Sequence, residues 1–284
     1  MTSSDIANRI PENLDAARLA SRSDTDLGWR LFNLNWLPIA LMGATLLGAV
    51  GLTNFSIEPI VFEIAAAIAL FLALVAYRHR RAESDRADPK LAFMLGAVAQ
   101  VILITVIVGP LSYVVAASNW PLQDHALSAI DRAIGFDART AVLFVNDHPV
   151  LSAVLNFGYS MIKWPLLVIP IVLAKTFRFV RLQQFVTSLI AALLVTILIS
   201  ALVPAIGIYQ ELGLTDLDIP NVNLGVFHLQ QHDIPALREG SLRRLEFLRL
   251  GGIVTFPSFH ATSAVLYAWA FSPVRGWGPA APCK

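Results

Sequence analysis

The sequence predicts an all-α integral membrane protein, with about six transmembrane helices in a bundle and the N-terminus in the cytoplasm. Three observations carry that expectation. Of 284 residues, 56% are hydrophobic and only 14% charged, and the mean hydropathy of +0.64 lies far from that of soluble domains. Six stretches approach or exceed the ~20 mostly apolar residues needed to cross the hydrocarbon core of a bilayer. Basic residues gather in alternate connections, fourteen on the side taken as cytoplasmic and six on the other, as expected where Lys and Arg stay preferentially inside.

Residues 1–35 read as a cytoplasmic N-terminal segment. They mix Asp5, Glu12, Asp15, Asp24 and Asp26 with Arg9, Arg18, Arg22 and Arg30, and lack the short apolar core of a cleavable signal peptide. The first spanning helix is therefore expected to act as the targeting signal. Residues 36–284 read as one polytopic membrane domain, with spans at 36–53, 60–77, 91–117, 150–174, 185–207 and 254–271. Gly109-Pro110 predicts a kink in the third, because proline removes a backbone donor and crowds the preceding turn.

Two connections on the outer side are long. Residues 118–149 space Leu122, Leu127, Ile130, Ile134, Val142 and Phe144 roughly as a helix does, with Asp124, Asp131, Arg132 and Asp137 between them. That pattern fits an amphipathic helix on the membrane surface or one packed over the bundle. Residues 208–252 are polar, contain Pro220 and Pro235, and exceed what a connector needs. They also hold Arg238, Arg243, Arg244 and Arg249, a basic cluster that opposes the charge rule the rest of the chain obeys.

A net charge of +1 gives no reason to expect nucleic acid as a partner. The single cysteine, Cys283, excludes an intrachain disulfide and a thiolate metal site. His228 and His232 share an i, i+4 spacing but lack a third firm ligand, so no metal is expected.

Chemistry concentrates at Gly251-Gly252-Ile253-Val254-Thr255-Phe256-Pro257-Ser258-Phe259-His260. Proline is tolerated at the first helical position, so Pro257 is expected to open the sixth helix and leave the amides of Ser258, Phe259 and His260 unpaired at its positive end. Such amides hold anions, and His260 could pass a proton to a departing oxygen. The geometry suits phosphoryl transfer. Candidate phosphate ligands are Arg238, Arg243 and Arg244, whose guanidinium groups suit phosphate but which could equally meet lipid headgroups. Lys163, deep in the fourth span, is a further candidate; its alternative is pairing with a carboxylate such as Glu63.

Pro-Ser-x-His at the start of a membrane helix resembles the second signature of the type-2 phosphatidic acid phosphatase superfamily. Its Phe-Pro-Ser-Phe-His form is similar to that of the inositol phosphorylceramide synthase-like, or inositolphosphotransferase, branch. The resemblance rests on this signature and on the spacing of the last three spans, a core at about 150–271. It implies catalytic roles for Ser258 and His260, the serine binding phosphate and the histidine protonating the leaving group, while a second histidine attacks phosphorus. It also implies a lipid partner, a phospholipid or sphingolipid phosphate, and no cofactor.

The signature carrying that second histidine, followed four positions later by Asp, is not found after His260. The chain is thus expected to be truncated at its C-terminus and inactive alone, residues 276–284 being too short and too rich in Pro and Gly to span. The superfamily's first signature, Lys-x6-Arg-Pro, is also unmatched, since Pro170 stands where the Arg after Lys163 would fall. The leading functional expectation is a membrane lipid phosphatase or phosphotransferase in a bacterial inner membrane, its site facing the periplasm or exterior. The alternative is a non-catalytic membrane protein that binds anionic headgroups. A transporter ranks third, because few intramembrane charges or interrupted helices support it.

Overall fold

In a bilayer every backbone amide must be satisfied within the protein, which leaves a chain this apolar with helices as its means of crossing. The computed structural model describes residues 3–81 and 88–272, with side chains from 23 to 80 and from 88 to 272. Arg9, Arg18, Arg22, Arg81, Arg86, Arg275, Cys283 and the stretch 276–284 lie outside those described side chains. The described residues form eleven α-helices and a two-residue parallel pairing.

The first helix, α1, runs Ser3–Leu52, and its part at Ser23–Leu52 is apolar enough to span. It is followed by α2 (Pro59–Arg81) and α3 (Pro89–Ala116). Asp88 caps α3 by accepting from the amides of Lys90 and Leu91, and Pro89 takes the first-turn position where its missing N–H costs nothing. At 28 residues, α3 is roughly 42 Å long and must tilt in a core of about 30 Å. It continues as one helix through Pro110.

The fourth stretch departs from the expected single span. It forms α6 (Pro149–Ser160), a 3-10 turn at Met161–Lys163 and α7 (Pro165–Lys175), bent by 61°. Pro165 follows the turn and lacks the amide that a straight helix would use there. The fifth span is α8 (Phe179–Leu202). The sixth is helical only from Phe259, as α11 (Phe259–Phe271), and its 13 described residues fall short of a crossing. Among the described residues, four helices are long and apolar enough to span, five if the bent pair is one crossing. The all-α membrane architecture stands.

Fully buried Phe32, Phe93, Ile104, Leu173, Leu182 and Phe185 form the centre, where α1, α3, α7 and α8 meet. Between lipid-immersed helices, small residues and polar contacts do much of the packing. A Cβ on Gly96 would come within 2.7 Å of the Phe32 ring, so glycine sets the approach of α1 to α3. Buried Asn35 donates to Gln183 Oε1 at 3.3 Å and accepts from Thr187 at 2.7 Å, while Gln100 donates to the Phe32 carbonyl.

The long outer connections are folded. Residues 118–149 contain two helices, α4 (Asp124–Ala133) and α5 (Ala138–Asn146), separated at Gly135, whose φ of +83° favours glycine. Ile130, Ile134 and Phe144 remain exposed, as an interfacial face requires. Asp137 caps α5, and the Thr140 hydroxyl and amide hold its carboxyl below the usual range. Residues 208–252 contain α9 (Ile208–Leu212), α10 (Gly225–Glu239) and Arg244–Leu245, which pairs in parallel with Ser56–Ile57. These segments roof one end of the bundle over a second core that includes Phe55, Ile219, Phe227 and Leu237.

Candidate active site

The segment leading into α11 is fixed from three directions. Tyr113 of α3 accepts from the Gly251 amide and donates to Asp233 of α10, each at 3.1 Å. Gln230 donates to the Gly252 carbonyl at 2.7 Å, and Thr255 donates to that of Ile206 at 3.2 Å. A Cβ at 251 would come within 2.8 Å of a Leu229 methyl, so glycine there spares that side chain a shift.

Helix α11 begins two residues later than expected. Ser258 is its N-cap and accepts from the Ala261 amide at 3.3 Å, so Pro257 lies outside the helix. The extended φ and ψ of Ser258, −69° and 108°, suit a cap, and its hydroxyl serves the third helical amide. This leaves the Phe259 and His260 amides at the positive end without intrahelical acceptors. The Ser258 side chain is exposed, and its O–H is available to donate to an incoming group.

Two cavities meet at this point. The outer one, of about 570 Å³, is walled by α5, α6, α10, Gly207 and the start of α9, and the loop at 222–223, and Ser258 lines it. The inner one, of about 430 Å³, lies among α3, the 3-10 turn, α7, α8 and α11 beneath residues 250–254. Val254, Phe259 and His260 line both, so His260 stands in the wall between them. Its ring stacks on that of Tyr159 with centroids 3.9 Å apart and planes 6° from parallel.

The two chambers differ in character. The outer one carries Asn156, Asn223, Gln230, Tyr159 and Tyr209, with Asp131 as its carboxylate and no Lys or Arg in its lining. Burial pushes the Tyr209 phenol upward, which keeps it a neutral hydroxyl. The inner chamber is mostly hydrocarbon, and Lys163 is the one cation that lines it. Lys163 sits at the last position of the 3-10 turn and takes part in no ion pair among the described residues; Glu63 is exposed on α2.

The structure therefore gathers Ser258, His260 and Lys163, and leaves the three arginines elsewhere. Arg238 donates to the Trp120 carbonyl at 2.6 Å. Arg243 donates to the Leu237 carbonyl and covers the Phe55 ring, and exposed Arg244 stands 3.9 Å from Glu246. None of the three lines either cavity. His228 contacts Asp216, and His232 contacts Asp233; among the described residues no group of three His, Cys, Asp or Glu is placed to hold a metal. Of the six histidines in the chain, only His260 lines the two cavities.

Sequence reasoning missed Tyr159, Asn156, Asn223 and Gln230, which look like ordinary helix and loop residues until α6 and α10 are docked. Asp131 entered only as a polar position of the amphipathic segment 118–149. A weak signal existed for Tyr159, a polar aromatic in an apolar span four residues before Lys163.

The chain matches no curated protein and no solved structure. Residues 125–282, more than half of its length, match the PAP2 superfamily. That stretch opens at the amphipathic helices and takes in the helix break, the start of α11 and the cavity linings other than those from α3. The agreement of that match with the Pro-Ser-Phe-His helix cap settles the family: the chain belongs to the PAP2 superfamily.

Proposed function

We propose that the protein is a membrane lipid phosphatase or phosphotransferase that works through His260 at the outer membrane face. One observation carries the reading: His260 stands between a polar and an apolar cavity, beside a helix terminus with free amides and with Lys163 in the same inner wall. A phosphoryl group held there gains hydrogen bonds from the Phe259 and His260 amides and the Ser258 hydroxyl, with Lys163 as countercharge. A nucleophile attacks phosphorus as the P–O bond to the leaving group breaks. The departing oxygen keeps the electron pair and takes the proton of His260.

The Phe-Pro-Ser-Phe-His form supports the inositolphosphotransferase-like branch, hence movement of a phospho-headgroup between lipids rather than hydrolysis alone. A phospholipid or sphingolipid phosphate is the substrate class, and a bacterial plasma membrane with an external site fits the charge distribution of the connections. Arg238, Arg243 and Arg244 then serve the roof and the headgroup region, and Lys163 serves the phosphate.

The second reading, a non-catalytic protein that holds anionic headgroups, is favoured by the lack of another histidine lining either cavity. Lipid phosphate turnover by the full chain in vesicles separates the two. His260→Ala is expected to lower turnover by about a hundredfold or more, the usual weight of a general acid, with membrane insertion unchanged. Turnover that survives the substitution removes the catalytic assignment, and turnover lost with His260 removes the binding-only reading.

A further inference from the structure

At the roof, exposed cations meet a carboxylate: Arg249 and Arg244 stand 2.9 and 3.9 Å from Glu246. The opposite end of the bundle is built differently. There Arg80 covers the Trp29 ring at 4.7 Å, Lys90 covers that of Phe177 at 4.1 Å and Arg181 covers that of Trp269 at 3.3 Å. An aromatic face attracts a cation without neutralising it, so this end keeps its positive charge. Among the described residues Lys90, Lys175 and Arg178 take part in no ion pair, and Asp88 serves the amides of α3 as its cap.

The turn between α7 and α8 gathers that charge around one exposed ring. Helix α7 ends with the Arg178 amide donating to the Leu173 carbonyl at 2.9 Å and the Phe177 amide to that of Ala174 at 3.1 Å. The closing residue of such an end takes left-handed backbone and is usually glycine. Here it is Phe177, at φ +57°, where a side chain strains the backbone. The ring is the outer end of a row formed with Phe179, Phe93 and Trp29, successive centroids lying 6.0, 4.5 and 4.4 Å apart. It is 63% exposed, between Lys175 and Arg178 in the chain and under Lys90 of α3. At 24 residues, α8 is roughly 36 Å long against a hydrocarbon core of about 30 Å, so the turn that opens it lies at the level of the headgroups.

Orientation in a bilayer calls for cations at one end, and does not call for an aromatic ring in strained backbone among them. An anionic phospholipid uses both, its phosphate meeting the cations and the top of its acyl chain lying on the ring. We propose that Lys90, Lys175, Phe177 and Arg178 form a binding site for an anionic phospholipid of the adjacent leaflet, separate from the site at His260. The inference is independent of the phosphoryl-transfer reading, and its test needs no turnover.

The full chain carrying Cys283→Ser and Thr176→Cys is labelled with a fluorophore at 176 and placed in phosphatidylcholine vesicles containing lipids brominated near the top of their chains. Brominated phosphatidylglycerol is expected to quench at about a tenfold lower mole fraction than brominated phosphatidylcholine, each nearby cation supplying up to about fivefold. Lys90→Gln, Lys175→Gln and Arg178→Gln together are expected to abolish that preference. Phe177→Gly, which relieves the left-handed strain, is expected to weaken it while the unfolding temperature in detergent stays the same or rises, a pair of effects that a purely structural ring would not give. Equal quenching by the two lipids, or a preference that survives the triple variant, overturns the proposal. So does a preference left intact by Phe177→Gly, which would reduce the corner to a diffuse charged surface.

Discussion

The ring of His260 lies flat on that of Tyr159, and this contact fixes the plane of the imidazole. Tyr159 lies in the last turn of α6 and Lys163 ends the 3-10 turn that follows, so one break in the chain brings both to His260. Such a stack contributes about 0.5–1.5 kcal/mol beyond the area it buries. Tyr159 acts as a positioning residue, and its ring rather than its hydroxyl carries the effect. Tyr159→Phe is expected to keep the imidazole proton resonances of His260 where the unsubstituted protein has them. Tyr159→Leu is expected to move them toward those of an unstacked histidine and to lower turnover by about tenfold, equivalent to ~1.4 kcal/mol. Resonances unchanged in the leucine variant would remove the stack from the account.

Among the helices, α11 depends on α8 for its far end. Arg181 covers the Trp269 ring at 3.3 Å and donates to the Trp269 carbonyl and to Ser272 Oγ, satisfying acceptors that the last turn leaves over. The near end is fixed by the Ser258 cap and the contacts at Gly251 and Gly252. A 13-residue helix anchored at both termini holds His260 more firmly than its length would allow alone. Arg181→Ala is expected to cost about 1–2 kcal/mol of local stability. Hydrogen exchange should show it as faster exchange across 266–271, with the middle of α8 unchanged; unaltered exchange at 266–271 would mean that the arginine anchors nothing.

At the scale of the molecule, the helices form a bundle whose cavities lie toward one end, under the roof made by α9, α10 and the paired segments. The proposed topology puts that end outside, and Thr176, between α7 and α8, on the opposite side. With Cys283 replaced by Ser, an impermeant maleimide added to sealed right-side-out vesicles is expected to modify Leu217→Cys and spare Thr176→Cys. Leu217 suits the purpose, being 94% exposed on the roof. Modification of the second and not the first would invert the topology and place the site in the cytoplasm.

Composition and hydropathy determined, without any coordinates, that this chain belongs in a bilayer as helices, because backbone hydrogen bonding in lipid leaves few other solutions. The Pro-Ser-Phe-His segment was legible for the same kind of reason, since capping chemistry depends on a few adjacent residues. Its start shifted by two positions, as Ser258 took the cap and excluded Pro257 from the helix. What the sequence could not decide was which cation reaches His260. Arg238, Arg243 and Arg244 are near it in sequence, yet α10 and the turn after it direct them to roof carbonyls, the Phe55 ring and Glu246. Lys163 and Tyr159 are about a hundred residues away and arrive through the 61° break between α6 and α7. Periodicity records which residues share a face within one helix, while the meeting of two faces is fixed by long-range packing. Only the tertiary structure therefore joined Tyr159, Lys163 and His260 into one site.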